Sequence, residues 1–287
     1  MLGIYYAAII TTLVAITVFG SFIRKLPLPA NERLLWLAMV IALPLQPLVF
    51  YWVRVPLDQW LAAQFGPASS AYQWLRSLYA PFTEEPAKLI PLLLPAIRHD
   101  IRPANFARYA LAIGLGFAVG EMWFVAERVA RNPALADLPF YQFGGYFSER
   151  LMTCVFHSAF LAVALQQLGR RFLLGLVGAM ALHWLGNFPI QLMAWNVAGL
   201  GKTAWTVIVQ CWLYGYFFAS IALLAYFATG RLAVGALFFS RRHCPECEQD
   251  YDAPLLAVNV GSRRYERCPH CRHWHWTQPA KPGLPGN

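Results

Sequence analysis

Long apolar runs separated by short polar breaks fill the chain up to about residue 240, and beyond it short stretches rich in charge, cysteine and proline take over. About seven runs reach the roughly 18 residues that a helix needs to cross a bilayer. They lie near 4–23, 34–53, 78–97, 108–126, 151–168, 172–195 and 204–228. The first is read as a mature helix, because it has neither a basic leader nor a small-residue cleavage site. No internal repeat stands out.

Composition agrees with this pattern. The chain is 58% hydrophobic and 13% charged, whereas soluble domains are nearer half apolar and a quarter charged. Loop charges then set an orientation. Arg24, Lys25, Arg33, Arg98, Arg102, Arg108, Arg170, Arg171, Arg231, Arg241 and Arg242 fall on one side if the spans alternate. The opposite breaks carry a mixed set, including Arg54, Asp58, Glu127, Arg128, Glu149 and Lys202. A multi-pass protein of the inner (plasma) membrane is expected, with its N-terminus outside and its tail cytoplasmic. The net charge of +9 is then a topology signal rather than a nucleic-acid footprint.

The tail holds Cys244-Pro-Glu-Cys247 and Cys268-Pro-His-Cys271, two CxxC pairs with 20 residues between them. Four thiolates at this spacing suit tetrahedral structural zinc, and a reducing compartment argues against two disulfides. The segment resembles a zinc ribbon. His270, His273 and His275 read as surface residues, and Cys154 and Cys211 as small core residues in apolar spans. From Arg241 onward the chain has seven Lys/Arg and five Asp/Glu. With four thiolates and one zinc ion the tail is near neutral, so no nucleic acid is expected. A structural or docking module for a cytoplasmic protein partner is. The fold class is therefore an all-α polytopic membrane protein with about seven transmembrane helices and a small C-terminal zinc ribbon. The expected domains are 1–240, 241–279 and a disordered tail at 280–287.

Ionisable side chains inside the apolar runs carry the chemistry. Each costs about 2.5–3.5 kcal/mol at mid-membrane on insertion scales, and such groups face a bundle interior or a wet cavity. The third run holds Glu84, Glu85 and Lys88, the fourth Glu121, the fifth His157 and the sixth His183 and Asn187. With alternating direction all fall in the outer half of the bilayer, so they can converge on one cavity that opens outward. Glu84 and Lys88 share a helix face, as do His183 and Asn187. Glu84 and Glu85 point about 100° apart, so one faces the cavity and the other is free to pair with Lys88. Pro86, with Pro91 and Pro95 beyond it, bends this run. Taken alone, a Glu–Lys pair is also structural glue, and a lone histidine a packing residue.

Glu84-Glu85-x-x-Lys88, Phe117-x-x-x-Glu121, His157 and His183-x-x-x-Asn187 resemble the ordered motifs of the PrsW family of intramembrane proteases. That family is grouped with CAAX-type prenyl endopeptidases and bacteriocin-processing proteases. The resemblance covers residues 78–190 and not the tail. It implies hydrolysis of membrane-anchored protein substrates, such as an anti-sigma factor, outside the cytoplasm. It also implies Glu84 as general base and His183 with Asn187 as oxyanion donors. The CAAX-type pattern has histidine where this chain has Glu121, so the partner of Glu84 is open between His157 and Glu121. Two histidines and a carboxylate also leave catalytic zinc open. A buried carboxylate is a stronger base than a solvated one, and imidazole and amide N–H groups can hold an oxyanion. A non-catalytic scaffold and a proton-coupled transporter are the alternatives.

Overall fold

The computed structural model describes residues 2–26, 28–230, 241–254, 257–260 and 263–279. The expected tail at 280–287 and the boundary segment 231–240 lie outside the described residues. The chain divides into two units, Met1–Ser220 and Ile221–Asn287.

Among the described residues, six helical stretches are long and apolar enough to cross a membrane: Gly3–Lys25, Glu32–Phe65, Phe106–Ala130, Phe140–Gln166, Phe172–Ala194 and Lys202–Thr229. The protein is mostly helical, and these stretches suggest a multi-pass membrane protein. The elements of the first unit are α1 (Gly3–Lys25), α2 (Glu32–Ala42), α3 (Leu45–Val49), a π-helical turn (Phe50–Arg54), α4 (Val55–Phe65) and α5 (Ser70–Ser77). Then come α6 (Tyr79–Ala87), a 3-10 turn (Ile90–Leu93), α7 (Pro95–Asp100), α8 (Phe106–Ala130), α9 (Pro133–Ala136), α10 (Gly144–Gln166), α11 (Phe172–Ala194) and α12 (Lys202–Thr229), whose last residues, from Ile221, belong to the second unit.

The run near 78–97 is not one long helix. Pro86 ends α6 early, Pro91 opens the 3-10 turn and Pro95 opens α7, because each proline removes a backbone donor and crowds the preceding turn. The broken segment nevertheless runs the length of the bundle. Near one end Arg54 Nη2 lies 2.5 Å from Glu84 Oε1. At the other the Asn31 backbone N–H donates to Asp100 Oδ2 at 3.0 Å. Residues 32–54 rise about 35 Å at helical pitch, slightly more than a hydrocarbon core of about 30 Å.

Helix α8 is central, with 78% of its apolar window buried against 17% for α12. Its glycines allow this. A Cβ on Gly116 would lie 2.1 Å from the Met39 carbonyl oxygen, and one on Gly120 1.9 Å from that of Leu43. A Cβ on Gly114 would meet Ser158 of α10 at 2.5 Å. Small residues at such crossings let backbones touch where apolar lipid gives helices no other reason to associate. The sequence of contacts also shows that α2 and α8 run parallel. Arg108 Nε donates to the Ile23 carbonyl at 2.8 Å and pairs with Glu32, Gly116 meets Met39, Gly120 meets Leu43, and the Phe124 ring lies 4.5 Å from that of Phe50. Two parallel helices need a return between them, and residues 84–100 provide it.

The second unit ends in a small antiparallel sheet. Its strands are β1 (Arg242–His243), β2 (Asp250–Tyr251), β3 (Val258–Val260), β4 (Arg263–Arg267) and β5 (Trp274–Pro279), in the order β2-β1-β5-β4-β3. Inward-facing Glu266 and Arg264 are both sealed from solvent. Arg264 Nε donates to Glu266 Oε2 at 2.7 Å, and Tyr251 Oη donates to Glu266 Oε1 at 3.0 Å. Burial and that neighbouring carboxylate push the Tyr251 phenol up from its ordinary value. Polar side chains fill much of this small interior, and modules of this size often need a metal or another crosslink to fold.

Candidate functional site

A cavity of about 290 Å³ lies in the first unit, and Glu84, Glu121, His157, His183 and Asn187 all line it. Four elements supply them: α6, α8, α10 and α11. The close approach of α8 to α2 and α10 sets the height of Glu121, and α10 then places His157 Nε2 2.8 Å from Glu121 Oε2.

Two clusters face each other across the cavity. In one, Glu85 is buried, accepts from Lys88 Nζ at 2.6 Å and lies 2.5 Å from His183 Nδ1. A carboxylate only accepts, so this contact places a proton on Nδ1. His183 Nε2 then points toward Glu84, 3.8 Å from its Oε2. In the neutral ring Nε2 accepts, and it donates only when the imidazole is cationic. Phe160 stacks on the His183 ring at 5.4 Å, and Lys88 Nζ sits 5.1 Å over the Phe117 ring. In the other cluster, His157 holds Glu121, whose second oxygen lies 3.0 Å from Arg150 Nη1. The rings of His157 and His183 are 6.0 Å apart.

Two arginines complete the site that sequence reasoning left outside it. Arg54 was assigned to a polar break, yet its Nη2 donates to Glu84 Oε1 and, at 3.1 Å, to Thr83 Oγ1. It closes the π-helical turn Phe50–Arg54, a local rewinding found often at functional sites. Arg150, just ahead of the fifth apolar run, pairs with Glu121. Neither lies in a motif, and the only signal was a basic residue beside an apolar run. The partner of Glu84 is thus Arg54, with His183 beyond, while His157 and Glu121 partner each other. Glu84, Glu85 and Glu121 are matched by Arg54, Lys88 and Arg150, so the buried charges balance. Asn187 lines the cavity, and its amide makes no hydrogen bond among the described residues.

Catalytic zinc does not fit this arrangement. A three-ligand site needs its donor atoms at about 2.0–2.2 Å from one ion, hence within about 4 Å of each other. Among the described residues, the groups of three or more whose ligand atoms lie within 4.8 Å of one another are the four tail cysteines and Glu246 with Cys271 and His273. The cavity residues form no such group.

The tail cysteines do fit a structural metal such as zinc. Cys244 and Cys271 have Sγ atoms 3.7 Å apart, and Cys247 and Cys268 3.8 Å apart. Tetrahedral zinc with Zn–S of about 2.3 Å requires about 3.8 Å. The two Cys-Pro-x-Cys turns match each other. In each, the residue after the second cysteine donates its backbone N–H to the first cysteine's carbonyl, Glu248 to Cys244 at 3.0 Å and Arg272 to Cys268 at 2.9 Å. A turn N–H also points at the first Sγ, that of Cys247 at Cys244 and that of His270 at Cys268, each at 3.4 Å. The residues after the turns, Glu248 and Arg272, both take positive φ, 54° and 63°. Burial raises the Cys244 thiol, but the N–H groups of Cys247 and Glu246 outweigh it and bring it to about 7. His275, expected at the surface, lies with Nε2 3.4 Å from Cys244 Sγ. Of the expected core cysteines, Cys154 is buried and Cys211 exposed.

Compared with protein-family models, curated proteins and solved structures, the chain finds no match in any of the three.

Proposed function

We propose that this chain is an intramembrane peptidase of the PrsW kind, hydrolysing peptide bonds of membrane-anchored protein substrates near the extracytoplasmic face. The observation that carries the reading is the single cavity onto which Glu84, Glu121, His157, His183 and Asn187 converge. In this reading Arg54 holds Glu84 through Oε1 and leaves Oε2 toward the cavity. Glu84 takes a proton from a water whose oxygen attacks the scissile carbonyl, and later delivers that proton to the leaving amine as the C–N bond breaks. The Asn187 amide and a cationic His183 hold the oxyanion. Glu85 orients His183 as a carboxylate orients a catalytic imidazole. The His157–Glu121 pair, whose buried Nδ1 has no hydrogen-bond partner among the described residues, lies beside the space for a substrate or water atom.

Residues 84–100 count as a seventh crossing in this account, which puts the N-terminus outside, the cavity near the outer face of the plasma membrane, and the tail in the cytoplasm. Zinc is the proposed tail metal, held by Cys244, Cys247, Cys268 and Cys271. The expected outcome of Glu84→Gln is loss of cleavage with folded protein retained. Retained cleavage would remove Glu84 as the base.

A non-catalytic scaffold is the second reading, favoured by the ion pair that each buried carboxylate already makes. Arg54→Met with Glu84→Gln separates the two. A scaffold tolerates the neutral pair and a peptidase does not.

A further inference from the structure

One face of the tail sheet carries aromatic and aliphatic side chains to solvent. Register pairs Val258 with Tyr265 and Tyr265 with Trp276 across three strands, and Arg267 with Trp274 beside them. Alternation along the strands sends these residues to one side, while Arg264, Glu266 and Thr277 turn inward and are buried. On the outward side Trp274 is 56% exposed, Trp276 46%, Val258 58% and Val260 60%. Tyr265 bridges the two tryptophans, with ring centroids 5.6 and 5.3 Å away. A contiguous apolar patch rimmed by polar residues marks an interaction site.

The charge on the face narrows the occupant. Its ionised members are Arg263 and Arg267, both exposed, and neither forms an ion pair with a carboxylate among the described residues. Of the sheet's two acidic residues, Glu266 is buried on the opposite side, and Asp250 of β2, beyond the β3–β5 strands, is paired with His243 at 2.8 Å. Tryptophan and tyrosine beside arginine, with aliphatic residues between, is the composition that settles at headgroup level in a bilayer. Two arginines are too few for the row of phosphates that a nucleic acid presents, but each is worth about a fivefold gain in binding at an anionic lipid surface. Reach agrees as well. Helix α12 ends at Thr229 and β1 begins at Arg242, and the residues between span at most about 45 Å fully extended. A segment tethered so close to its own membrane meets headgroups at high effective concentration.

We infer that the β3–β5 face of the tail module docks on the anionic lipid surface of the membrane that holds the helices, seating Trp274 and Trp276 at headgroup depth with Arg263 and Arg267 on lipid phosphates. The inference is independent of the peptidase reading.

The test uses the full-length, zinc-loaded protein in nanodiscs of phosphatidylcholine alone and in nanodiscs that also contain phosphatidylglycerol. Hydroxyl-radical footprinting with mass spectrometry reads the oxidation rates of Tyr265, Trp274 and Trp276, with exposed His273 on a cysteine turn as the control. The expected result is several-fold slower oxidation of both tryptophans in the anionic discs, unchanged His273, and reversal by high salt. Arg263→Gln with Arg267→Gln lowers the docked-to-free ratio by about fivefold per arginine at unchanged zinc content. Should that variant lose zinc, Arg263→Lys with Arg267→Lys keeps the charge and is expected to keep the protection. Equal rates in the two discs would overturn the inference. So would protection that appears only with an added single-stranded oligonucleotide, or that grows with protein concentration at fixed lipid.

Discussion

Lys88→Met isolates the buried pair beneath the cavity. Lys88 Nζ and Glu85 Oε1 are 2.6 Å apart, with side chains 0% and 1% exposed. At an effective dielectric of about 20 their attraction is about 6 kcal/mol, and the ammonium also faces two aromatic rings, worth about 2 kcal/mol when desolvated. Much of this offsets the desolvation of both ions. Methionine keeps the length of the stem but strands the Glu85 charge, which retains only the His183 contact. Breaking such a pair costs about 3–5 kcal/mol, and that is the loss expected for Lys88→Met. Glu85→Gln strands the ammonium and is expected to cost a similar amount. The double variant strands neither charge and is expected to be more stable than either single one. Denaturant titration in mixed micelles across the four proteins measures this. Additive losses, or a loss below about 1 kcal/mol for Lys88→Met, would refute the reasoning.

Gly120→Ala is expected to lose most folded protein on size exclusion in detergent, because its Cβ would fall 1.9 Å from the Leu43 carbonyl oxygen and neither backbone can withdraw. Cys247→Ser is expected to take bound zinc from one ion per chain to well below one, read by elemental analysis after chelator washing. Glu248→Gly is expected to stabilise the tail by about 1 kcal/mol, since glycine adopts the positive φ there without the Cβ penalty; its readout is the chelator concentration at which the tail unfolds. Arg54→Gln is expected to abolish cleavage while leaving zinc content unchanged, because Glu84 loses the group that holds it toward the cavity.

The long helices were legible because each apolar run has the length a bilayer demands. The run near 78–97 was read as one crossing bent at its prolines, and they go further and break it into two short helices with a 3-10 turn between them, because hydropathy does not register how many backbone donors are missing. The motif residues, five of which line one cavity, were legible as a set. Their pairings were not. Which of Glu84 and Glu85 meets Lys88 depends on the short helix ahead of Pro86, and Arg54 reaches the site only through the π-helical turn before it. Neither feature has a sequence period. In the tail, the cysteine spacing made the four-cysteine cluster legible, but His275 approaches Cys244 through strand register.

The most direct measurement is a comparison of membrane-protein N-termini in cells expressing the wild-type chain or Glu84→Gln, with both proteins checked for folding and level. The account predicts new N-termini at extracytoplasmic or juxtamembrane positions with wild type alone. Identical sets of N-termini from the two would contradict it and shift the weight to the scaffold reading.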